Sequence, residues 1–291
     1  MSTYIISDLH GHYDEFLEML RVIAFTDEDM LYVLGDVVDR GPKPVTLLKD
    51  LMNRPNVVCL AGNHELMALE CLNFLLKEVT EENIYDLDEE MLGKLLNWQL
   101  NGSGTTLDEF AALSPEERDE VLDYLGEFDL YEEIELSGRK YLLIHAGLRD
   151  FEPDRPIEDY EPEELVWERP DYDIPYFDDV TVVTGHTPTL FIETEENIRP
   201  GFILKANNHI AIDCGCGIPG GRLACLRLDD LLEFYVDAFE EYADEEYDED
   251  DFEGIEEFDE DEFEEIEKYD EDEFEEIEKH DENESEGIEE Q

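Results

Sequence analysis

Positive charge is scarce in this chain. Nineteen Lys and Arg stand against 84 Asp and Glu in 291 residues, a formal net charge of −65. A protein of that sign repels phosphate backbones and anionic lipid surfaces, so neither nucleic-acid nor membrane binding is expected. Cations and basic partners are favoured instead. Long apolar runs are missing too. No stretch approaches the roughly 18 residues of a membrane span, and no N-terminal segment joins a basic region to an apolar one as a signal peptide does. A soluble cytoplasmic protein is the expectation. Cysteine is sparse, and the five residues (Cys59, Cys71, Cys214, Cys216, Cys225) lack zinc-ribbon spacing. They read as reduced, buried thiols.

The acidity is spread over the whole chain. Residues 240–291 hold 32 Asp or Glu and 2 Lys, and residues 1–239 still carry a net −35. In the last 52 residues "FEGIEEFDEDE", "FEEIEKYDEDE" and "FEEIEKHDENE" repeat every 11 residues from Phe252, Phe263 and Phe274. Ile255, Ile266, Ile277 and Ile288 stay in phase. Phe and Ile at this spacing would share a helix face, but the charge density opposes burial. A disordered acidic tail over 240–291 is expected, which a basic partner or divalent cations would neutralise. Residues 1–239 then form the folded domain.

Within that domain, "TYIIS" (3–7), "LYVLG" (31–35) and "VVCLAG" (57–62) are short apolar runs separated by the helical patterns "EFLEMLRVI" and "VTLLKDLMN". Strand–helix–strand–helix–strand implies a parallel sheet with right-handed crossovers. Residues 66–130 read as a mostly helical cap insertion. "YEEIEL" and "RKYLLIHAG" flank Ser137-Gly138 as a hairpin, and "VTVVTGHT", "HIAIDCG", "LACLRL" and "LLEFYV" are further strands.

Five of the apolar runs stop at a metal ligand or proton-transfer group. Asp8 and His10 follow the first, Asp36 the second, Asn63 and His64 the third, and His145 and His186 end "YLLIH" and "VTVVTGH". Carboxyl ends of parallel strands lie along one edge, where ligands bind. Asp8, His10, Asp36, Asn63, His145 and His186 suit two divalent metals, with Asp36 bridging. One metal would take Asp8, His10 and Asp36, and the other Asp36, Asn63, His145 and His186. In "VLGDVVDRG" (33–41), Asp39 is placed to orient an imidazole and Arg40 to hold phosphate oxygens. His64, held by Asp39, would protonate a leaving group. His12, His209 and His280 receive no role, and Asp213 reads as a structural turn residue.

The ordered motifs "SDLHGHYDEF", "GDVVDRG", "GNHE", "HAG" and "GHT" resemble the phosphoprotein phosphatase branch of the calcineurin-like metallophosphoesterases. The resemblance spans roughly residues 1–236. It implies an α/β fold, a β-sandwich flanked by helices, and two divalent ions, Mn2+ first with Fe or Zn as alternatives. It also implies phosphoester hydrolysis by a metal-bound hydroxide. It repeats the ligand set above, adds Asn63 and Arg40 as phosphate contacts, and makes Arg169 of "LVWERP" a second phosphate guanidinium.

Two positions depart from the phosphatase pattern. Ala61 stands where protein phosphatases of this kind commonly carry Arg, a feature shared with symmetrical diadenosine tetraphosphate hydrolases. Those relatives usually read G-N-H-D, whereas this chain has Glu65. Trp98 and Asn101 of "WQLNGSGTT" either face the substrate or form a buried ring and a helix-ending turn. The leading expectation is a serine/threonine protein phosphatase acting on phosphoproteins or small phosphoesters. The alternatives are a symmetrical dinucleoside tetraphosphate hydrolase and a degenerate phosphatase that binds a partner through its acidic tail.

Overall fold

A computed structural model of the chain describes residues 1–76 and 89–237. The acidic repeat, and the disorder expected of it, lie outside the described residues.

Strands β1 (Thr3–Ile6), β2 (Met30–Leu34) and β3 (Val57–Leu60) are joined by helices α1 (Tyr13–Val22) and α2 (Pro44–Met52). β1 pairs with β2, and β2 with β3, all in parallel. The sheet is completed by β9 (Arg222–Arg227), antiparallel to β1, and β10 (Leu232–Asp237), antiparallel to β9. A second sheet has the order β4-β5-β6-β8-β7. β4 (Tyr131–Leu136) and β5 (Arg139–Ile144) form the expected hairpin, with Ser137 and Gly138 both at positive φ. β5, β6 (Val180–Thr184) and β8 (His209–Ala211) run in parallel.

The two sheets form a sandwich, and the pleat explains why the strands are apolar throughout. Ile5, Leu34, Leu60 and Leu226 of the first sheet share a core with Tyr141, Leu143, Val183 and Ile210 of the second. Their neighbours Tyr4, Ile6, Leu31 and Val33 point the other way, into a core with Phe16 and Met19 of α1 and Leu47, Leu48 and Leu51 of α2. Leu142, Ile144 and Val182 likewise face outward from the second sheet, packing with Leu165 of α7 (Pro162–Val166). Strands buried on both faces read as continuous apolar runs rather than as alternation.

The segment read as an insertion is helical where it is described: α3 (Asn63–Leu75), α4 (Glu89–Leu100), α5 (Gly104–Ala111) and α6 (Pro115–Gly126). Among its described residues it forms no separate core. Trp98, Phe110, Val121 and Leu125 join the same apolar cluster as α1 and α2. One strand was not legible. β7 (Leu204–Ala206) pairs with β8 across Asn207-Asn208, both at positive φ. All five cysteines are buried and free. Among the described residues, no helix is long and apolar enough to cross a membrane.

Candidate active site

The loops that leave the strands are zipped together before they diverge. Asp8 N–H donates to Gly35 O (3.1 Å), His10 N–H to Asp36 O (2.8 Å) and Gly11 N–H to Val37 O (2.8 Å). In the second sheet Gly185 N–H donates to His145 O (2.7 Å). Two bonds cross between the sheets: His145 Nδ1 donates to Leu34 O (2.7 Å), and His186 N–H to the Asp8 carboxylate (3.1 Å). Backbone strain collects here. Six of the twelve non-glycine residues with positive φ among those described are Asp8, His10, Asp36, Asp39, Arg40 and His186. Such conformations cost on the order of 1–3 kcal/mol each and persist where the surroundings over-determine them. Space is equally tight. A Cβ on Gly62 would lie 2.2 Å from Asp36 Oδ1, and one on Gly185 2.3 Å from Asp8 Oδ2.

Asp36 stands between two imidazoles, with Oδ2 3.6 Å from His10 Nε2 and Oδ1 3.4 Å from His145 Nε2. Hydrogen bonding assigns the tautomers. His10 Nδ1 donates to Val38 O (3.0 Å) and His145 Nδ1 to Leu34 O (2.7 Å), so both Nε2 atoms present lone pairs toward Asp36. His145 Nε2 also lies 3.1 Å from Asn63 Oδ1, another acceptor. Acceptors converging without a proton between them repel one another unless a cation lies among them. Burial raises the Asp36 carboxyl well above its usual range, and nearby Glu65 adds to the rise. Burial does the same to Asp8, helped by Asp213 and Asp36. The imidazoles of His10, His64 and His145 are pushed well down, chiefly by burial, which favours their uncharged form. Neutral imidazole and carboxylate are the donors that Mn, Fe and Zn take.

Ligand atoms converge in two groups, one from His10, Asp36 and His64 and the other from Asp36, His145 and His186. Asn63 adjoins the second group through His145. The first differs from expectation, because Asp8 is outside it and His64 is inside. The Asp8 carboxylate accepts from the His186 N–H, and the like charge on Asp36 helps to raise its pKa.

His64 begins α3 and is fully buried. Its Nδ1 donates to Asp39 Oδ2 (2.7 Å), and its Nε2 accepts from Arg40 Nη2 (3.0 Å). Asp39 is held in turn by Trp98 Nε1 (2.8 Å to Oδ2) and Thr106 Oγ1 (2.6 Å to Oδ1). Burial pushes the Asp39 carboxyl up to about 6, although both of those bonds oppose the shift. Trp98 is thus the buried ring of the two readings, and it braces Asp39 rather than facing substrate. Asn101 ends α4: its Nδ2 donates to Asn97 O (2.9 Å), while the next carbonyl, Gly102 O, accepts from Arg40 N–H (2.9 Å). Arg169 is exposed, beside Glu168, whose O accepts from Gly147 N–H (2.8 Å) of the "HAG" motif. Ala61 is buried and donates its N–H to Asp129 O (2.9 Å). Asp213 is structural, accepting from Gly215 N–H (2.8 Å). His209 is too: its Nε2 lies 3.0 Å from Ile174 O.

Glu65 escaped the sequence reading. From the first turn of α3 its carboxylate accepts four backbone N–H groups, those of Asp36 (2.7 Å), Val37 (2.8 Å), Val38 (3.2 Å) and Gly62 (2.8 Å). It fixes the strained 36–38 loop and caps its own helix. The signal was present in Gly62-Asn-His-Glu65, which has capping-box spacing. Glu65→Gln turns one acceptor into a donor facing N–H groups. Urea unfolding of the variant should show a loss of about 1.5–3 kcal/mol. Unchanged stability would mean the clamp contributes nothing.

A two-sheet sandwich carrying paired His/Asp clusters at its strand ends is the architecture of a metal-dependent phosphoesterase. The chain belongs to the calcineurin-like phosphoesterase family, whose model matches residues 1–212. It is similar to the symmetrical bis(5'-nucleosyl)-tetraphosphatase of Nitrosospira multiformis, 27% identical over 282 residues, covering 81% of this chain and 96% of that protein. A protein of the same description from Buchnera aphidicola subsp. Acyrthosiphon pisum is 36% identical over 102 residues, only 34% of this chain and 37% of that one. Among solved structures, a provisionally assigned diadenosine tetraphosphatase matches with TM-score 0.54 at 21% identity, covering 81% of this chain and 93% of that one. A protein serine/threonine phosphatase from Saccharomyces cerevisiae matches with TM-score 0.50 at 15% identity, covering 82% and 80%. These structural likenesses concern the fold alone.

Proposed function

We propose that the enzyme cleaves symmetrical dinucleoside tetraphosphates, adding water across the central anhydride to give two nucleoside diphosphates. The observation that carries this reading is the Nitrosospira multiformis relative, aligned along 96% of its own length. Ala61, in place of a phosphate-clamping Arg, agrees with it. Asp36, His10, Asn63, His145 and His186 would hold two divalent cations, with Asp8 and His64 bordering the site. Mn2+ is the first choice among them. Cations there supply Lewis-acid charge and lower the pKa of water.

The chain's own groups do the rest. Arg40 Nη2, now on His64 Nε2, swings to the phosphoryl oxygens and frees that nitrogen. Once freed, Nε2 takes a proton from solvent and passes it to the departing phosphate oxygen, while Asp39, braced by Trp98 and Thr106, keeps the ring aimed and stabilises its transient positive charge. Arg169 would hold a second phosphate. Residues 1–239 would be the catalytic unit. A basic partner or cations would serve the acidic 240–291 segment.

A second reading, a serine/threonine protein phosphatase, is favoured by Glu65 where the tetraphosphate hydrolases usually carry Asp. Turnover of Mn2+-loaded protein on diadenosine tetraphosphate, a phosphopeptide and 4-nitrophenyl phosphate separates the two. The proposal expects the highest kcat/KM on diadenosine tetraphosphate, with ADP as the only nucleotide product. A higher kcat/KM on the phosphopeptide would reverse the order of the two readings.

A further inference from the structure

A cavity of about 250 Å³ opens where the chain runs on from His186 to Thr187. Two loops build it: residues 170–173, directly after Arg169, and residues 187–194, directly after His186. Its wall carries three carboxylates, Asp171, Asp173 and Glu193, together with Tyr172, Thr187 and Ile192. Thr187 also lines the cavity and is only 9% exposed.

The chemistry of the wall selects the ligand. Carboxylates accept hydrogen bonds and repel phosphate. Part of that capacity is already used within the wall, where Asp171 Oδ1 accepts from Asp173 N–H (2.9 Å) and Asp173 Oδ1 from Thr194 Oγ1. The remaining oxygens ask for donors. Tyr172 and Ile192 add apolar surface. A group rich in hydroxyl and amine donors, uncharged, with a flat apolar face, satisfies all of these features. The volume lies just under the roughly 300–1,000 Å³ of small-molecule sites, which is room for one such group.

We propose that this cavity receives a nucleoside of the substrate, with ribose hydroxyls or the base amine donating to Asp171 and Glu193. The proposal rests on the dinucleotide reading above and names the part of the chain that recognises the substrate's uncharged end. That placement also answers a difficulty of charge. A body of net −35 over residues 1–239 opposes a polyphosphate, and a neutral nucleoside contributes affinity without that repulsion.

The test uses Mn2+-loaded protein and the double variant Asp171→Asn/Glu193→Gln. Kinetics are measured on diadenosine tetraphosphate and 4-nitrophenyl phosphate, with adenosine as a phosphate-free inhibitor of the aryl reaction. The expected result is a kcat/KM for the dinucleotide that falls at least about tenfold more than that for the aryl phosphate, mainly through KM. Adenosine inhibition should be present in the parent and lost in the variant. If the parent does not cleave the dinucleotide but adenosine inhibition behaves in this way, the dinucleotide reading fails and the nucleoside pocket stands. Absence of adenosine inhibition in the parent, or its survival in the variant, overturns the pocket. So does an equal loss on both substrates.

Discussion

Asp36→Asn should lower turnover on every substrate by on the order of 10³-fold or more, because partners one layer further out in metal sites already cost 10–100-fold. Asp36 alone belongs to both convergent groups, so losing one oxygen's charge weakens both at once. Metal content after Mn2+ loading and desalting should fall from about two ions per chain to one or none. The protein should nevertheless stay folded. A buried carboxyl whose pKa is raised binds its proton more tightly in the native state than in the unfolded one. Its stabilising effect is therefore present at low pH and lost as pH rises through the raised value. At neutral pH the ionised group opposes folding unless a cation offsets it. In chelator, Asp36→Asn should melt no lower than the parent, while remaining inactive when Mn2+ is restored. Full activity in the variant, or a parent enzyme indifferent to chelation, would remove the metal site from the mechanism.

His64→Asn tests the proton donor. General acid catalysis contributes roughly 10²–10⁴-fold, and the loss should lie in that range for alkyl phosphates, whose alkoxide leaves poorly. It should shrink for 4-nitrophenyl phosphate, and also for a dinucleoside tetraphosphate, whose departing nucleoside diphosphate is a much weaker base than an alkoxide. The gradient across leaving groups is the informative result, since His64 also lies within reach of His10 and Asp36. If His64 acts mainly as a ligand, all three substrates lose equally and the variant binds less metal. An equal loss therefore rejects His64 as the acid.

The strands were legible because burial on both faces leaves apolar runs broken only where a functional residue begins. That same break exposed Asp8, Asp36, Asn63, His145 and His186. β7 was not legible, since three residues give no period to read and its pairing is declared only by Asn207-Asn208. The residues behind the site were hidden for another reason. Thr106 and Trp98 meet Asp39 across 67 and 59 positions of chain, and nothing local in a helical Thr or Trp announces a distant carboxylate. Glu65 could have been recognised as a helix cap from its spacing, but its hold on the 36–38 loop required the tertiary structure. Asp8 shows the limit from the other side. Its place at a strand end is as expected, but its carboxylate is engaged by the His186 backbone.

The bonds His145 Nδ1–Leu34 O and His186 N–Asp8 carboxylate join two halves of the chain that are far apart in sequence. Neither sheet holds all of the converging groups: Asp36, Asn63 and His10 come from one, and His145 and His186 from the other. Residues 1–130 supply His10, Asp36 and Asn63, and the rest of the chain supplies His145 and His186, so these groups converge only where both parts of the chain are folded against each other.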